Sequence, residues 1–426
     1  MTTKRRMKLF IIIINLLYVT ANKPTVYDQL FESLLKYLNI EDNESQCQLD
    51  VNAKMGGSDG DYRNQPLFIH PNTSEFFHPT KRTGIITMRR NEKIQLFCST
   101  GFSYPTTING NSVYIKCSHN GHIQLNDGER FFNNFSCRKH PKHSARRRTH
   151  GSCYNNATLV DVGFDVDDKF LITMTLCHDP ISEQTYYVKY RLAPGNEASQ
   201  HGIKRPSFIQ SNFFPGKDIN LLYRREHQRK IISEFIGTDV LLKKDASNVY
   251  LSRGHLAAKG DFIYGNEQRA TFYYINAAPQ WQSFNSMNWR AIEDGSRRLC
   301  ADRNITLNVY TGTHGVISMS NSKGLQENIY LDMDNKQIPV PKLFYKILIN
   351  SKENSGIAIV CANNVHITID EIEEDYVICE DVSDKIKYIK WKKKEVKRGY
   401  CYACNVNDFL VQVPHLKGIQ IKKLLT

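Results

Sequence analysis

Arg253, Gly254 and His255 stand consecutively at the head of a stretch, Tyr250 to Arg298, that gathers most of the side chains able to do chemistry. A guanidinium grips phosphate oxygens bidentately, and a neighbouring glycine lets a substrate backbone come close. An imidazole with an ordinary pKa of about 6.5 then takes a proton from water at neutral or alkaline pH. A single histidine is more often a satisfied core or surface residue, so the weight rests on the residues C-terminal to it. Asn276, Pro279 and Gln280 make an Asn-x-x-Pro-Gln turn, and Asn285, Glu293 and Arg297 recur beyond it. The eight positions from Asn285 to Glu293 span a little over two helical turns, which places an amide at a helix mouth and a carboxylate deeper on the same side. Those oxygens suit a hydrated magnesium ion, which keeps most of its waters and takes one or two protein ligands. Alone, Glu293 and Arg297 read equally well as an ordinary i,i+4 surface pair.

Local elements must hold these groups in place. Thr271 to Ile275 is β-branched and aromatic, which predicts a strand ended by Asn276, Ala277, Ala278 and Pro279. A helix is predicted from Met287 to Leu299, where Trp289, Ile292, Ser296 and Leu299 recur at helical spacing and Asn285 or Ser286 supplies the cap.

These residues resemble the active-site segment of the DNA/RNA non-specific endonuclease family. Those are the ββα-metal nucleases typified by the secreted Serratia enzyme, and the likeness is strongest to secreted insect nucleases that degrade double-stranded RNA. The likeness covers about residues 200 to 415 and is most specific over 250 to 298. In the family an Asp-Arg-Gly-His motif supplies the general base, which the resemblance places on His255, with Arg253 on phosphate. It makes Asn285 the magnesium ligand, nine positions after Asn276, with Glu293 eight further on and Arg297 four beyond that. Asn276 and Arg297 are expected at the substrate with Arg253, while His255, Arg253, Glu293 and Arg297 carry catalysis. Manganese is expected to substitute for magnesium. The implied partner is nucleic acid: double-stranded RNA first, then DNA and single-stranded RNA. Ser252 departs from the family's aspartate. That departure keeps a second reading open, a secreted nucleic-acid-binding protein with a nuclease fold and little or no turnover. A further phosphate-binding arginine of the family lies upstream of the motif, with Arg224 and Arg225 as its candidates.

The rest of the chain fits a secreted enzyme. Lys4, Arg5, Arg6 and Lys8 precede an apolar run from Leu9 to Val19, with small residues near Ala21. This predicts a cleaved leader over 1–21, too short to span a bilayer comfortably, and no stable membrane association after its removal. Eleven cysteines would remain: Cys47, Cys98, Cys117, Cys137, Cys153, Cys177, Cys300, Cys361, Cys379, Cys401 and Cys404. An oxidising compartment makes disulfides their default, and an odd count leaves one over. Cys401 and Cys404 have no second Cys-x-x-Cys to complete a zinc ribbon. Asn-x-Ser/Thr sequons at Asn43, Asn72, Asn134, Asn156 and Asn304 suit a secretory route. The formal charge of +13, four less without the leader, favours a polyanionic partner.

The expected fold is α+β, a mixed or antiparallel sheet carrying a ββα-metal element, preceded by a smaller cysteine-containing β-rich module. The module spans 22–137 after a short amphipathic helix at 28–39, a basic linker covers 138–152, and the nuclease domain covers 153–426. The arginine run in the linker reads as a solvated basic loop or, less readily, as a processing site. Strands are predicted over 84–88, 93–98, 158–164, 170–177, 185–192, 305–316, 343–349 and 356–361. His314 reads as structural, and 385–398, which mixes cations with Tyr388 and Trp391, reads as a solvated edge strand or a nucleic-acid surface.

Overall fold

The apolar run Pro341–Asn350 shows how the core is divided. Successive strand residues point to opposite faces. Leu343, Tyr345, Ile347 and Ile349 accordingly join one buried cluster, while Phe344 and Leu348 join the other. The sheet holding this strand is therefore covered on both sides, which is why the run lacks polar alternation. The computed structural model describes residues 46–52, 64–118, 122–125, 127–237 and 249–426. The expected leader, the helix at 28–39 and the Asn43 sequon lie outside them.

Among the described residues this sheet has nine strands. In spatial order eight of them are His143–Ser152, Thr158–Val166, Lys169–Asp179, Gln184–Leu192, Leu307–Val316, Pro341–Asn350, Ser355–Ala362 and Cys401–Cys404. All of these pair antiparallel, and Lys423–Leu424 adds a parallel partner to Ser355–Ala362. Between Leu192 and Leu307 the chain leaves the sheet and builds the element that carries the chemistry. Phe284 and Trp289 of its helix pack edge-on against Phe344 of the sheet, with ring centroids 5.8 and 5.5 Å apart. The other face is covered by Ile369–Asp375 and Val406–Gln412, through Ile372 and Phe409. The fold is α+β.

The region before the sheet is β-rich. Five antiparallel strands run in the order Leu67–Ile69, Lys93–Phe97, Ser112–Cys117, His122–Leu125 and Gly128–Phe131. Cys47–Cys117 and Cys98–Cys137 tie it together. It docks closely on the nuclease part of the chain: His78 meets Glu267 at 3.0 Å, Asn266 donates to the Gln65 carbonyl at 2.9 Å, and Gln95 donates to Asp167 at 2.8 Å.

Two segments differ from expectation. The basic stretch read as a loop is, over His143–Ser152, the edge strand of the large sheet. Its arginines have partners that only the fold supplies: Arg146 lies over Phe170 and Arg147 over Phe213, each 4.4 Å from the ring, and Arg148 pairs with Asp161 at 2.7 Å. Cation–π contact and a bidentate carboxylate hold these side chains in place while they stay exposed. The segment 385–398 is no strand. Ile386 and Ile389 are buried three residues apart, and the chain straps the active-site helix, where the Asn288 amide donates to the carbonyls of Lys392 (2.9 Å) and Gly399 (2.7 Å). Lys385, Lys387, Lys390 and Lys397 of this segment stay exposed.

Three further disulfides join Cys153–Cys177, Cys361–Cys401 and Cys379–Cys404, so the Cys-x-x-Cys pair is split between two partners. Cys300 is the odd cysteine: it is free and buried, its thiol is pushed up to about 12 by burial and by Asp261, and it donates to the Leu192 carbonyl. Of the described residues, no helix is long and apolar enough to cross a membrane.

Candidate active site

Two short strands, Leu251–His255 and Ala277–Trp281, pair antiparallel, and a helix leaves the second without a break. This is the ββα element. The register sets His255 opposite Ala277, Arg253 opposite Pro279, and Ser252 opposite Gln280. Pro279 is tolerated because a two-stranded ribbon leaves one side of each strand without ladder bonds. Gly254 is needed here, because a Cβ would run into the Gln280 side chain. The strand expected at Thr271 to Ile275 is instead buried irregular chain entering a 3-10 turn at Tyr274–Asn276. Phe272, Tyr273, Tyr274 and Ile275 are all buried, and a continuously apolar run does not distinguish the two conformations by its period.

The helix begins at Gln282, earlier than expected, and passes through a π-type turn at Asn285–Trp289 before the α-helical Arg290–Arg303. Asn285 is therefore inside the helix rather than its cap. A π-turn widens the helix locally, and such turns recur at functional sites. Asn285 Nδ2 donates to Ser252 Oγ at 3.0 Å, and Oδ1 has no partner among the described residues. That free amide oxygen fits a hydrated divalent cation.

His255 is half-buried, its ring between Phe208 and Phe272 with centroids 5.0 and 4.9 Å away. Burial, with Arg205 and Lys259 nearby, pushes its pKa down to about 3. The ring is therefore neutral at physiological pH, and at that value it is a weak base. Its Nε2 is buried without a partner among the described residues. Arg253 is braced at its side: Asn220 accepts from Nη2 at 2.6 Å, the Tyr274 hydroxyl accepts from Nε at 3.2 Å, and Tyr223 stacks 5.2 Å away. Arg205, Phe208, Asn220 and Tyr223 carry no motif and were invisible in the sequence. Of the two candidate arginines upstream, Arg224 precedes the helix Arg225–Ile236, next to Tyr223, and Arg225 lies 3.7 Å over Tyr250.

Asn276 and Arg297 are already bonded within the fold. Asn276, expected at the substrate, is fully buried and its amide is spent. Its Nδ2 donates to the carbonyls of Ala257 (3.0 Å) and Thr271 (2.8 Å), and its Oδ1 accepts from Ala257 N at 2.9 Å. It clamps the segment after His255. Arg297, expected on phosphate, is ion-paired with Asp261 and Asp294. Asp261 is fully buried; burial alone would raise its pKa, but Lys346 and Arg297 prevail and hold it below the ordinary range. Tyr190 donates to Asp261 at 2.5 Å and receives from Lys346 at 2.6 Å. Glu293 borders this cluster and is pushed up to about 7 by burial and by Asp261, against Lys346 and Arg297. The charges acting on Glu293 and those acting on His255 are different sets.

A cleft of about 970 Å³ is lined by Arg148, Tyr187, Lys189, Tyr190 and Tyr310 among others, and none of His255, Arg253 or Asn285 lines it. Size does not choose the site; the side-chain chemistry does.

Buried histidines also set the response to acid. His143 and His178 are lowered to about 4, and His255 and His415 to about 3, in each case chiefly by burial. Between those values and 6.5 the unfolded chain binds protons that the fold refuses, so stability rises with pH across this window and is lost as pH falls through it. Glu293 opposes them with one proton between 4.5 and about 7. The expected net result is a melting temperature that drops steeply from pH 6.5 to 4.5 in calorimetry. A flat profile would show that these imidazoles are not held neutral.

Comparison with known proteins agrees with the geometry. The family model described as DNA/RNA non-specific endonuclease matches residues 155–409. A salivary endonuclease of Lutzomyia longipalpis is 26% identical over 310 residues, covering 72% of this chain and 70% of that protein. Salivary protein Tsal2A of Glossina morsitans morsitans is 24% identical over 396 residues, covering 89% and 94%. A salivary endonuclease of Culex quinquefasciatus is 26% identical over 219 residues, covering 51% and 54%. With its ββα element in place and a family match across more than half its length, the chain belongs to the DNA/RNA non-specific endonuclease family of phosphodiester hydrolases.

Proposed function

We propose that the protein is a secreted, magnesium-dependent endonuclease that hydrolyses double-stranded RNA and also accepts DNA. The observation that carries this reading is the ββα element itself, in which a neutral, unpartnered His255 on the hairpin and a free amide oxygen of Asn285 on the helix belong to one compact unit. His255 takes a proton from the attacking water, and the new P–O bond forms as the leaving oxygen departs. Arg253, braced by Asn220 and Tyr274, holds the phosphate. A magnesium ion held by Asn285 Oδ1 would supply Lewis-acid stabilisation of the charge that develops on the phosphate and leaving oxygen. Asp261 and Arg297 set the position of the helix that bears Asn285, with Glu293 beside them.

Water as nucleophile needs no ribose 2′-hydroxyl, which is why DNA is admissible. Duplex RNA is recognised by shape and backbone rather than by base edges, which suits a basic, motif-poor surface. Five disulfides and the salivary relatives support secretion.

The test is a comparison of end-labelled double-stranded RNA, single-stranded RNA and duplex DNA, each with magnesium or with EDTA. Internal cleavage fastest on double-stranded RNA and absent in EDTA is expected. Binding without products at any magnesium concentration would make this a nucleic-acid-binding protein instead.

A further inference from the structure

Ser252 stands where the family pattern has an aspartate, and its hydrogen bonds show what it does in this chain. We infer that Ser252 is a positioning residue that fixes the orientation of the Asn285 amide, so that Oδ1 rather than Nδ2 faces the cation; this rests on Asn285 being the metal ligand proposed above. A hydroxyl has one proton. Ser252 Oγ commits it to the Gln280 carbonyl, 2.9 Å away across the hairpin. Toward Asn285, at 3.0 Å, the same oxygen acts as an acceptor, so the group facing it is an N–H. The amide orientation thus comes from hydrogen-bond logic: turned round, Oδ1 would face an oxygen with no proton left to give.

The Gln280 carbonyl makes the arrangement robust. It belongs to the hairpin backbone directly opposite Ser252, so it does not move independently of the strand that carries His255. One short side chain therefore ties three parts together: the His255 strand, its partner strand, and the π-turn of the helix. A carboxylate at this position would also accept from Nδ2, although it offers nothing to the carbonyl. Serine and aspartate are thereby equivalent toward Asn285, and alanine is not. Partners that orient a metal ligand in this way are worth about 10–100-fold in metal affinity when removed.

The experiment is calorimetric titration of the intact folded protein with manganese, which reports affinity apart from turnover, on the wild type, Ser252→Ala, Ser252→Asp and Asn285→Ala. Circular dichroism confirms that each is folded. The expected result is one site in the wild type, lost in Asn285→Ala, weakened about 10–100-fold in Ser252→Ala, and within about 3-fold of wild type in Ser252→Asp. If Asn285→Ala binds like the wild type, the ligand assignment falls and this inference falls with it. If Asn285→Ala loses the site while Ser252→Ala keeps full affinity, Ser252 positions nothing and the inference alone is overturned. Equal weakening of Ser252→Ala and Ser252→Asp also overturns it, because an acceptor would then not be what the amide needs.

Discussion

Replacing His255 with alanine is expected to lower kcat/KM for duplex cleavage by roughly 10²- to 10⁴-fold, the usual span for loss of a positioned general base. The size of the effect reflects how the ring is held. It is pinned between Phe208 and Phe272 and kept neutral, and its buried Nε2 has no competing partner among the described residues. Three other shielded imidazoles are committed elsewhere: half-buried His143 bonds to the Tyr273 hydroxyl, and buried His178 and His415 to Thr185 and Tyr345. Initial rates on a defined duplex, with a melting curve to show that the variant folds, check the prediction. A loss of less than about 10-fold would remove His255 from the role.

The second large effect is on stability. Asp261→Ala is expected to destabilise the fold by about 3–5 kcal/mol, because breaking a buried ion pair strands the remaining charge. Here Lys346, with no solvent exposure, is stranded, Arg297 keeps only Asp294, and the Tyr190 hydroxyl loses its acceptor. Asp261 lies in the segment after His255, and these partners come from the active-site helix and the central sheet. Asp261 therefore fastens the ββα element to the sheet that supports it. Denaturant unfolding measures the loss. Adding Lys346→Met to Asp261→Ala is expected to recover part of it, since the double variant removes a stranded charge. A single variant within about 1 kcal/mol of wild type would mean that the cluster is solvated rather than buried.

The sequence was most readable where pattern and burial agree. The six strands predicted between 158 and 361 all belong to the nine-stranded sheet, where each β-branched and aromatic run finds paired neighbours, whereas the similar run at Thr271 to Ile275 lies outside it. The ββα element was readable through the family resemblance, because its chemistry-bearing residues, Arg253 to Arg297, lie close together in the chain at the intervals of that family. What could not be read depends on partners distant in sequence. Asn276 looked like a substrate contact until its amide was seen bridging Ala257 and Thr271. The arginines of the supposed loop find Phe170, Phe213 and Asp161, none adjacent in the chain. Phe208 and Asn220 brace the site from a segment with no periodic signal. Counting showed that one cysteine must be left over, and only the burial of Cys300 shows which.

His255 should drive internal, cation-dependent cleavage of phosphodiester bonds, and substrates without free ends show this with the fewest assumptions. A covalently closed circular plasmid and a duplex RNA blocked at both termini are incubated with wild type or His255→Ala, in magnesium or EDTA. Nicking and fragmentation are expected from the wild type in magnesium alone, with the variant still binding both substrates and leaving them intact. Cleavage by the variant at the wild-type rate, or by the wild type undiminished in EDTA, would refute a His255-driven, metal-assisted endonuclease.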